Sequence, residues 1–129
     1  MNSGSQPLRC VIVDDNAAFL EAAANTLGRD GLAVVGVASS SAEALRCVAR
    51  LRPDVAVVDI DLGGESGFDL AEQLADGVPV SSVILTSTHS EQDFADLIAA
   101  SPALGFVPKV ELSAEAVLRL LGRGNGSSR

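Results

Sequence analysis

The chain has 129 residues, 47% of them hydrophobic, and a formal net charge of -8. That length gives one domain with room for a proper core, and the acidic balance argues against nucleic acid or an anionic membrane as a direct partner. No apolar run is long enough to span a membrane, and Met1 to Arg9 lacks the apolar stretch of a signal peptide, so a cytoplasmic location is expected.

Met1 to Pro7 is polar and reads as a loose N-terminal tail. Arg9 to Val13 is predicted to be the first strand, running into Asp14-Asp15. Asn16 to Gly28 reads as a helix, with Leu20, Ala23, Ala24 and Leu27 on one apolar face and Gly28 at its end. Asp30-Gly31 is a turn. Leu32 to Ala38 is a second strand, broken up by Gly36. Ser40-Ser41-Ala42-Glu43 fits a capping box, and Leu45, Val48 and Ala49 give the inward face of the helix it opens. Pro53-Asp54 closes that helix.

Val55-Ala56-Val57-Val58 follows, an uninterrupted apolar run that reads as a fully buried strand ending in Asp59. Beyond the glycines at 63 and 64, Ser66 to Asp69 starts another helix, with Leu70 and Leu74 inward and Gly77 and Pro79 as breakers. Val80 to Leu85 is a fourth strand, running into Thr86-Ser87. Thr88-His89-Ser90-Glu91 is a second candidate capping box, predicting a helix from Ser90 to Ala100 with Phe94, Leu97 and Ile98 inward and Pro102 as its stop. Leu104 to Val107 is a fifth strand, leading through Pro108 to Lys109. Ser113 caps a last helix with Val117, Leu120 and Leu121 buried, and a polar tail follows Gly122. Strands alternating with helices of this length imply α/β architecture: a doubly wound, five-stranded parallel sheet in a three-layer sandwich with right-handed crossovers.

In such sheets ligands bind outside the carboxyl ends of the strands. Those ends carry Asp14, Asp15, Asp59, Thr86 and Lys109. Carboxylates gathered there repel one another, each pair at ~4 Å by roughly 4 kcal/mol at an effective dielectric of about 20. Protonation, a lysine or a divalent cation must offset that, and hard oxygen ligands suit Mg²⁺. Asp59 is then a candidate nucleophile forming an acyl phosphate, with Thr86 and Lys109 holding phosphoryl oxygens. Simpler readings stand beside these. The acidic pair could cap a helix, Thr86 could be a satisfied strand-end hydroxyl, and Phe106 could be plain core. Asp61 could be solvated loop, and His89 a loop residue without a ligand partner. Cys10 and Cys47 lack metal-ligand spacing and read as buried free thiols.

The acidic pair after the first strand, Asp59 after the third, Thr86 after the fourth and Lys109 after the fifth resemble the receiver domain of two-component response regulators, over Leu8 to Gly122. The resemblance implies a receiver domain at 8–122 between flexible tails at 1–7 and 123–129. It implies Mg²⁺ held by Asp14, Asp15, Asp59 and the backbone carbonyl of Asp61, with Asp59 as phospho-acceptor and Thr86 and Lys109 as its catalytic partners. Thr86 and Phe106 are implied as the switch. The sequence departs from the family at Val110, where proline is usual after the lysine, at Gly63-Gly64, where proline is frequent, and at Ser87, where alanine is common.

The implied function is a stand-alone receiver that takes a phosphoryl group from a sensor histidine kinase or phosphotransfer protein and signals by changing shape. It catalyses only its own phosphorylation and dephosphorylation. Its output protein is expected to dock on the Ser90 to Ala100 helix, fifth strand and last helix, with the chain a monomer or a phosphorylation-dependent dimer and without direct DNA or membrane binding. One competing reading is a phosphatase with an aspartyl nucleophile, since Asp59-Ile60-Asp61 resembles the D-x-D of haloacid-dehalogenase-type enzymes; that family places the motif after its first strand. The other is an interaction module that ignores phosphorylation, against which the full set of site residues argues.

Overall fold

Central to the sheet is β3 (Val55–Asp59), every residue of which is buried. A computed structural model describes residues 7–77 and 82–122. Residues 1–6 and 123–129 of the expected tails, and Pro79 and Val80, lie outside the described residues. The strands β1 (Arg9–Val13), β2 (Ala33–Ala38), β3, β4 (Ser82–Ser87) and β5 (Gly105–Pro108) form one parallel sheet in the order β2-β1-β3-β4-β5. This is the expected doubly wound arrangement, because parallel neighbours need helical crossovers that cover both faces.

One layer holds α1 (Ala17–Arg29) and α5 (Ala114–Leu120) against Cys10, Ile12, Val55, Val57, Ile84 and Val107. The opposite layer holds α2 (Ser41–Leu51), α3 (Gly67–Asp76) and α4 (Ala95–Ala100) against Val11, Val13, Ala56, Val58, Val83, Leu85 and Phe106. Alternation along each strand thus splits its side chains between two cores. Each fully buried Val or Leu favours the fold by about 1.5–3 kcal/mol over an exposed one. Both cysteines are free and buried, and burial pushes the Cys10 thiol up to about 12, so it behaves as a small apolar residue.

Several local expectations are corrected. Gly36 does not break β2; the ladder instead skips Val35, with Cys10 opposite Val34 and Val11 opposite Gly36. Gly36 lets α2 approach, since a Cβ there would stand 2.8 Å from Cys47 Sγ and 2.9 Å from Leu51 Cδ1. Helix α1 runs through Gly28 to Arg29, and the positive φ falls on Gly31 instead. Leu120 and Leu121 are half-buried rather than buried.

The largest departure is the segment predicted as one helix from Ser90 to Ala100. It is a 3-10 turn over Glu91–Phe94 followed by the short α4, and Ser90 makes no side-chain capping bond. Leu97 points outward, 54% exposed, while Phe94 and Ile98 pack against the core. The cause is local. The Ser87 hydroxyl accepts the His89 N–H at 3.0 Å, forming a turn that competes with a cap. Phe94 at φ -128, ψ 20 then interrupts the helical phase, so its own inward direction no longer sets that of Leu97.

Candidate functional site: an acidic cleft at the strand ends

The carboxyl ends of β1, β3, β4 and β5 open into one cleft. It is lined by Asp14, Asp15, Asn16, Asp59, Ile60, Asp61, Glu65, Ser87, Thr88, His89, Phe94 and Lys109. The chain reverses sharply beyond β3. Gly67 N–H donates to Ile60 O at 2.7 Å, Leu62 N–H to Glu65 O at 3.0 Å, and Asp61 pairs with Ser66. Gly63 and Gly64 have φ of 64° and 100°, values closed to proline, whose φ stays near about -65°. The turn after the acceptor is therefore one that proline at either position could not make.

Within the cleft, Asp14 and Asp59 are buried and Asp15 is exposed. One carboxylate oxygen from each lies within 4.8 Å of the other two. Lys109 Nζ stands 2.6 Å from Asp14 Oδ2 and 3.0 Å from Asp59 Oδ2. The lysine thus offsets part of the charge of the cluster, pairing with Asp14 and Asp59 but not with Asp15. The acidic pair is not a helix cap, since Asn16 caps α1 by accepting from Phe19 N–H at 3.0 Å. Asp14 Oδ1 in turn accepts the Asn16 N–H at 2.8 Å.

Asp59 is held above the usual carboxylate range, chiefly because burial penalises its charged form. The Asp61 N–H, donating to Asp59 Oδ1 at 3.1 Å, and the Lys109 ammonium pull it back, while the Asp14 charge pushes it up. Lys109 is raised; its burial acts the other way, but the bonds and charges of Asp14 and Asp59 outweigh it.

Thr86 sits opposite Asp59 in the β3–β4 ladder. It is buried, does not line the cleft, and its hydroxyl has no hydrogen-bond partner among the described residues. It is therefore not a satisfied strand-end hydroxyl. Phe106 is buried opposite Leu85, in the core facing α2, α3 and α4. The Asp61 side chain accepts from Gly63 N–H at 3.2 Å, which makes it part of the turn rather than free loop. Val110 after Lys109 is 93% exposed, clear of the cleft.

Sequence reasoning placed Ser87 at the mouth of the fourth strand, where it lines the cleft, but missed Asn16, Ile60, Glu65, Thr88 and Phe94 as cleft residues and read His89 only as a loop residue. Asn16 had a readable signal, a capping residue directly after the acidic pair. Glu65 had none: its carboxylate accepts the Ser41 N–H at 2.9 Å, tying the acceptor loop to the start of α2 across 24 residues.

A carboxylate trio sharing 4.8 Å fits a divalent cation. The orphaned Thr86 hydroxyl, buried beside Asp59, is a donor without its acceptor, which fits an incoming oxygen-rich group.

Comparison with known proteins places this arrangement. The chain is 38% identical over 104 residues to the DNA-binding transcriptional activator DevR/DosR of Mycobacterium tuberculosis, covering 79% of this chain and 48% of that protein. It is 34% identical over 83 residues to protein-glutamate methylesterase/protein-glutamine glutaminase 3 of Hahella chejuensis, covering 64% and 24%. The chain spans from 24% to 53% of the length of the curated relatives it matches.

Among solved structures, the signal receiver domain of NarL from M. tuberculosis superposes with a TM-score of 0.80 at 30% identity, covering 92% of this chain and 99% of that one. A Burkholderia pseudomallei response regulator with a phosphorylated aspartic acid, calcium ion and citrate superposes with a TM-score of 0.75 at 26% identity, covering 88% and 66%. The model of the response regulator receiver domain matches residues 10–120, from β1 into the end of α5. A match of that extent, on strands in this order, makes the chain a member of the response regulator receiver domain family.

Proposed function

We propose that Asp59 accepts a phosphoryl group from a histidine kinase or phosphotransfer protein in a Mg²⁺-dependent reaction. The observation that supports this best is the buried Asp59 carboxylate at the mouth of the central strand, 3.0 Å from the Lys109 ammonium and within 4.8 Å of oxygens from Asp14 and Asp15. The Burkholderia relative, phosphorylated on an aspartic acid with calcium present, is in keeping with this chemistry.

An Asp59 carboxylate oxygen attacks phosphorus, the bond from phosphorus to the donor nitrogen breaks, and its electron pair stays on that nitrogen. The product is an acyl phosphate on Asp59. Lys109 binds a phosphoryl oxygen, and Thr86 donates its free hydroxyl to another. Asp14, Asp15, Asp59 and the backbone carbonyl of Asp61 would hold Mg²⁺, which supplies neutralisation of the phosphoryl charge. The chain catalyses only its own phosphorylation and dephosphorylation, in the cytoplasm, and binds neither DNA nor membrane directly.

Output follows from the Thr86 hydroxyl moving to the phosphoryl group and Phe106 repacking into the space left beside β4, a bistable packing change. The surface altered is that of residues 90–100, β5 and α5. The exposed Leu97 and Leu104, 54% and 48% accessible, support it as the docking face for an output protein or a second copy. Among the described residues no helix is long and apolar enough to cross a membrane.

The test is incubation with acetyl phosphate and Mg²⁺, followed by intact mass. Gain of one phosphoryl group, lost in Asp59→Asn, supports the reading. Continuous turnover of the donor without a labelled protein would indicate a phosphatase. No labelling at all would indicate a module independent of phosphorylation.

A further inference from the structure

The Lys109 ammonium has a partner besides the carboxylates: it stands 4.3 Å from the centroid of the Phe19 ring. Cations within about 6 Å of a ring centroid are attracted by the negative face of the ring. An ammonium has three N–H donors. Lys109 forms ion pairs with Asp14 at 2.6 Å and Asp59 at 3.0 Å, and the ring is a third neighbour of the ammonium.

The ring is placed by a closed circuit of bonds. Phe19 N–H donates to the Asn16 side chain at 3.0 Å, and Asn16 N–H donates to Asp14 Oδ1 at 2.8 Å. The other oxygen of Asp14 meets Lys109, and Lys109 meets the ring. The start of α1 therefore positions the one aromatic face under the one cation of the cleft, among the described residues.

We propose that Phe19 is a positioning residue for phosphoryl transfer, its ring face holding the Lys109 ammonium beside the acceptor oxygen of Asp59. This rests on the acceptor reading above and deepens it. The carboxylates that hold Lys109 here are those that a divalent cation and a phosphoryl group would engage. The ring is the one partner for which neither competes. Its attraction is also weakly directional, so the ammonium can exchange a carboxylate oxygen for a phosphoryl oxygen without leaving the site. Phe19 and Lys109 further line a small hollow with Ala22, Thr26 and Leu112.

The test replaces Phe19 with Leu, with Tyr, and with phenylalanines carrying one to three ring fluorines, which weaken the negative face at nearly constant size. Two readouts are taken: labelling rate with acetyl phosphate and Mg²⁺, and, in the metal-free protein, the ring-induced upfield shift of the Lys109 Cε protons. Phe19→Leu is expected to slow labelling about two- to thirtyfold and abolish the shift. Phe19→Tyr should restore most of the rate, and the fluorinated series should decline stepwise. Wild-type labelling in Phe19→Leu, or a flat fluorinated series, overturns the proposal. If the wild-type protein is itself not labelled, the acceptor reading fails; an unaltered Lys109 shift in Phe19→Leu overturns the placement of the ammonium separately.

Discussion

Asp59 and Thr86 stand opposite each other across the β3–β4 ladder, one a buried carboxylate and the other a buried hydroxyl without a partner among the described residues. A buried polar group left unpaired costs about 1–3 kcal/mol. The unphosphorylated state carries that cost, and a phosphoryl oxygen on Asp59 would relieve it. Thr86→Val should therefore stabilise the unphosphorylated protein by about 1 kcal/mol in urea unfolding. The same variant should blunt the amide chemical-shift response of residues 90–100 and β5 to a beryllofluoride phosphate mimic. A full response would remove Thr86 from the switch.

Asp59→Asn should stabilise the metal-free protein at neutral pH, because burial holds the Asp59 carboxyl above its ordinary value. For a group whose folded value is raised, stability is present at low pH and lost as pH rises through that value. The advantage of Asp59→Asn should thus shrink as pH falls and Asp59 protonates. Lys109 is also raised, so its contribution is complete below about 10.5 and lost only at more alkaline pH. Thermal melts of both proteins from pH 4 to pH 8 check the sign. A gap that widens on acidification would contradict the assignment.

Asp14 and Asp15 should part company. Relief of repulsion alone would make neutralising either one stabilising. The structure places Asp14 in a buried ion pair with Lys109 at 2.6 Å and leaves Asp15 exposed. Asp14→Asn should destabilise, because it removes a carboxylate from a buried ion pair and leaves the Lys109 ammonium less compensated. Asp15→Asn should stabilise by at most about 1 kcal/mol. Chemical denaturation without Mg²⁺ separates them, and equal effects of one sign would refute the distinction.

Mg²⁺ should stabilise the wild-type protein and a chelator should reverse it. At a free concentration of 100 times Kd the gain is about 2.7 kcal/mol. Asp15→Asn should lose most of that gain. Melting curves with and without EDTA test both statements.

Gly67→Ala should destabilise severely, by about 3 kcal/mol or more. A Cβ on Gly67 would collide with the backbone carbonyl of Asp59, which cannot swing aside like a side chain. The first residue of α3 is thus packed onto the acceptor itself, and the variant should lose folded protein before it loses chemistry. Wild-type stability in urea would show that the loop relaxes.

Most of the architecture was legible because its signals are periodic and local. The run Val55 to Val58 has no polar side to expose, so it lies in the middle of the sheet. The capping residues Asn16, Ser40, Ser66 and Ser113 each accept the bonds that start a helix. The segment after β4 was misread because its capping pattern was genuine in composition but overridden by the Ser87 turn and the break at Phe94. No one-dimensional pattern records that competition.

From the sequence alone came the order of strands and helices, and with it which residues stand at the strand mouths: Asp14, Asp15, Asp59, Thr86 and Lys109. A residue's place along an element depends on its neighbours in the chain, and those are written in order. Tertiary structure alone decided that Asp14 is buried and Asp15 is not, that Lys109 bridges Asp14 and Asp59, and that the Thr86 hydroxyl has no partner. It also set the Phe19 ring under the ammonium and tied Glu65 to α2. Each of these depends on the register between strands and on how a helix docks across them, distances set by packing between segments far apart in the chain.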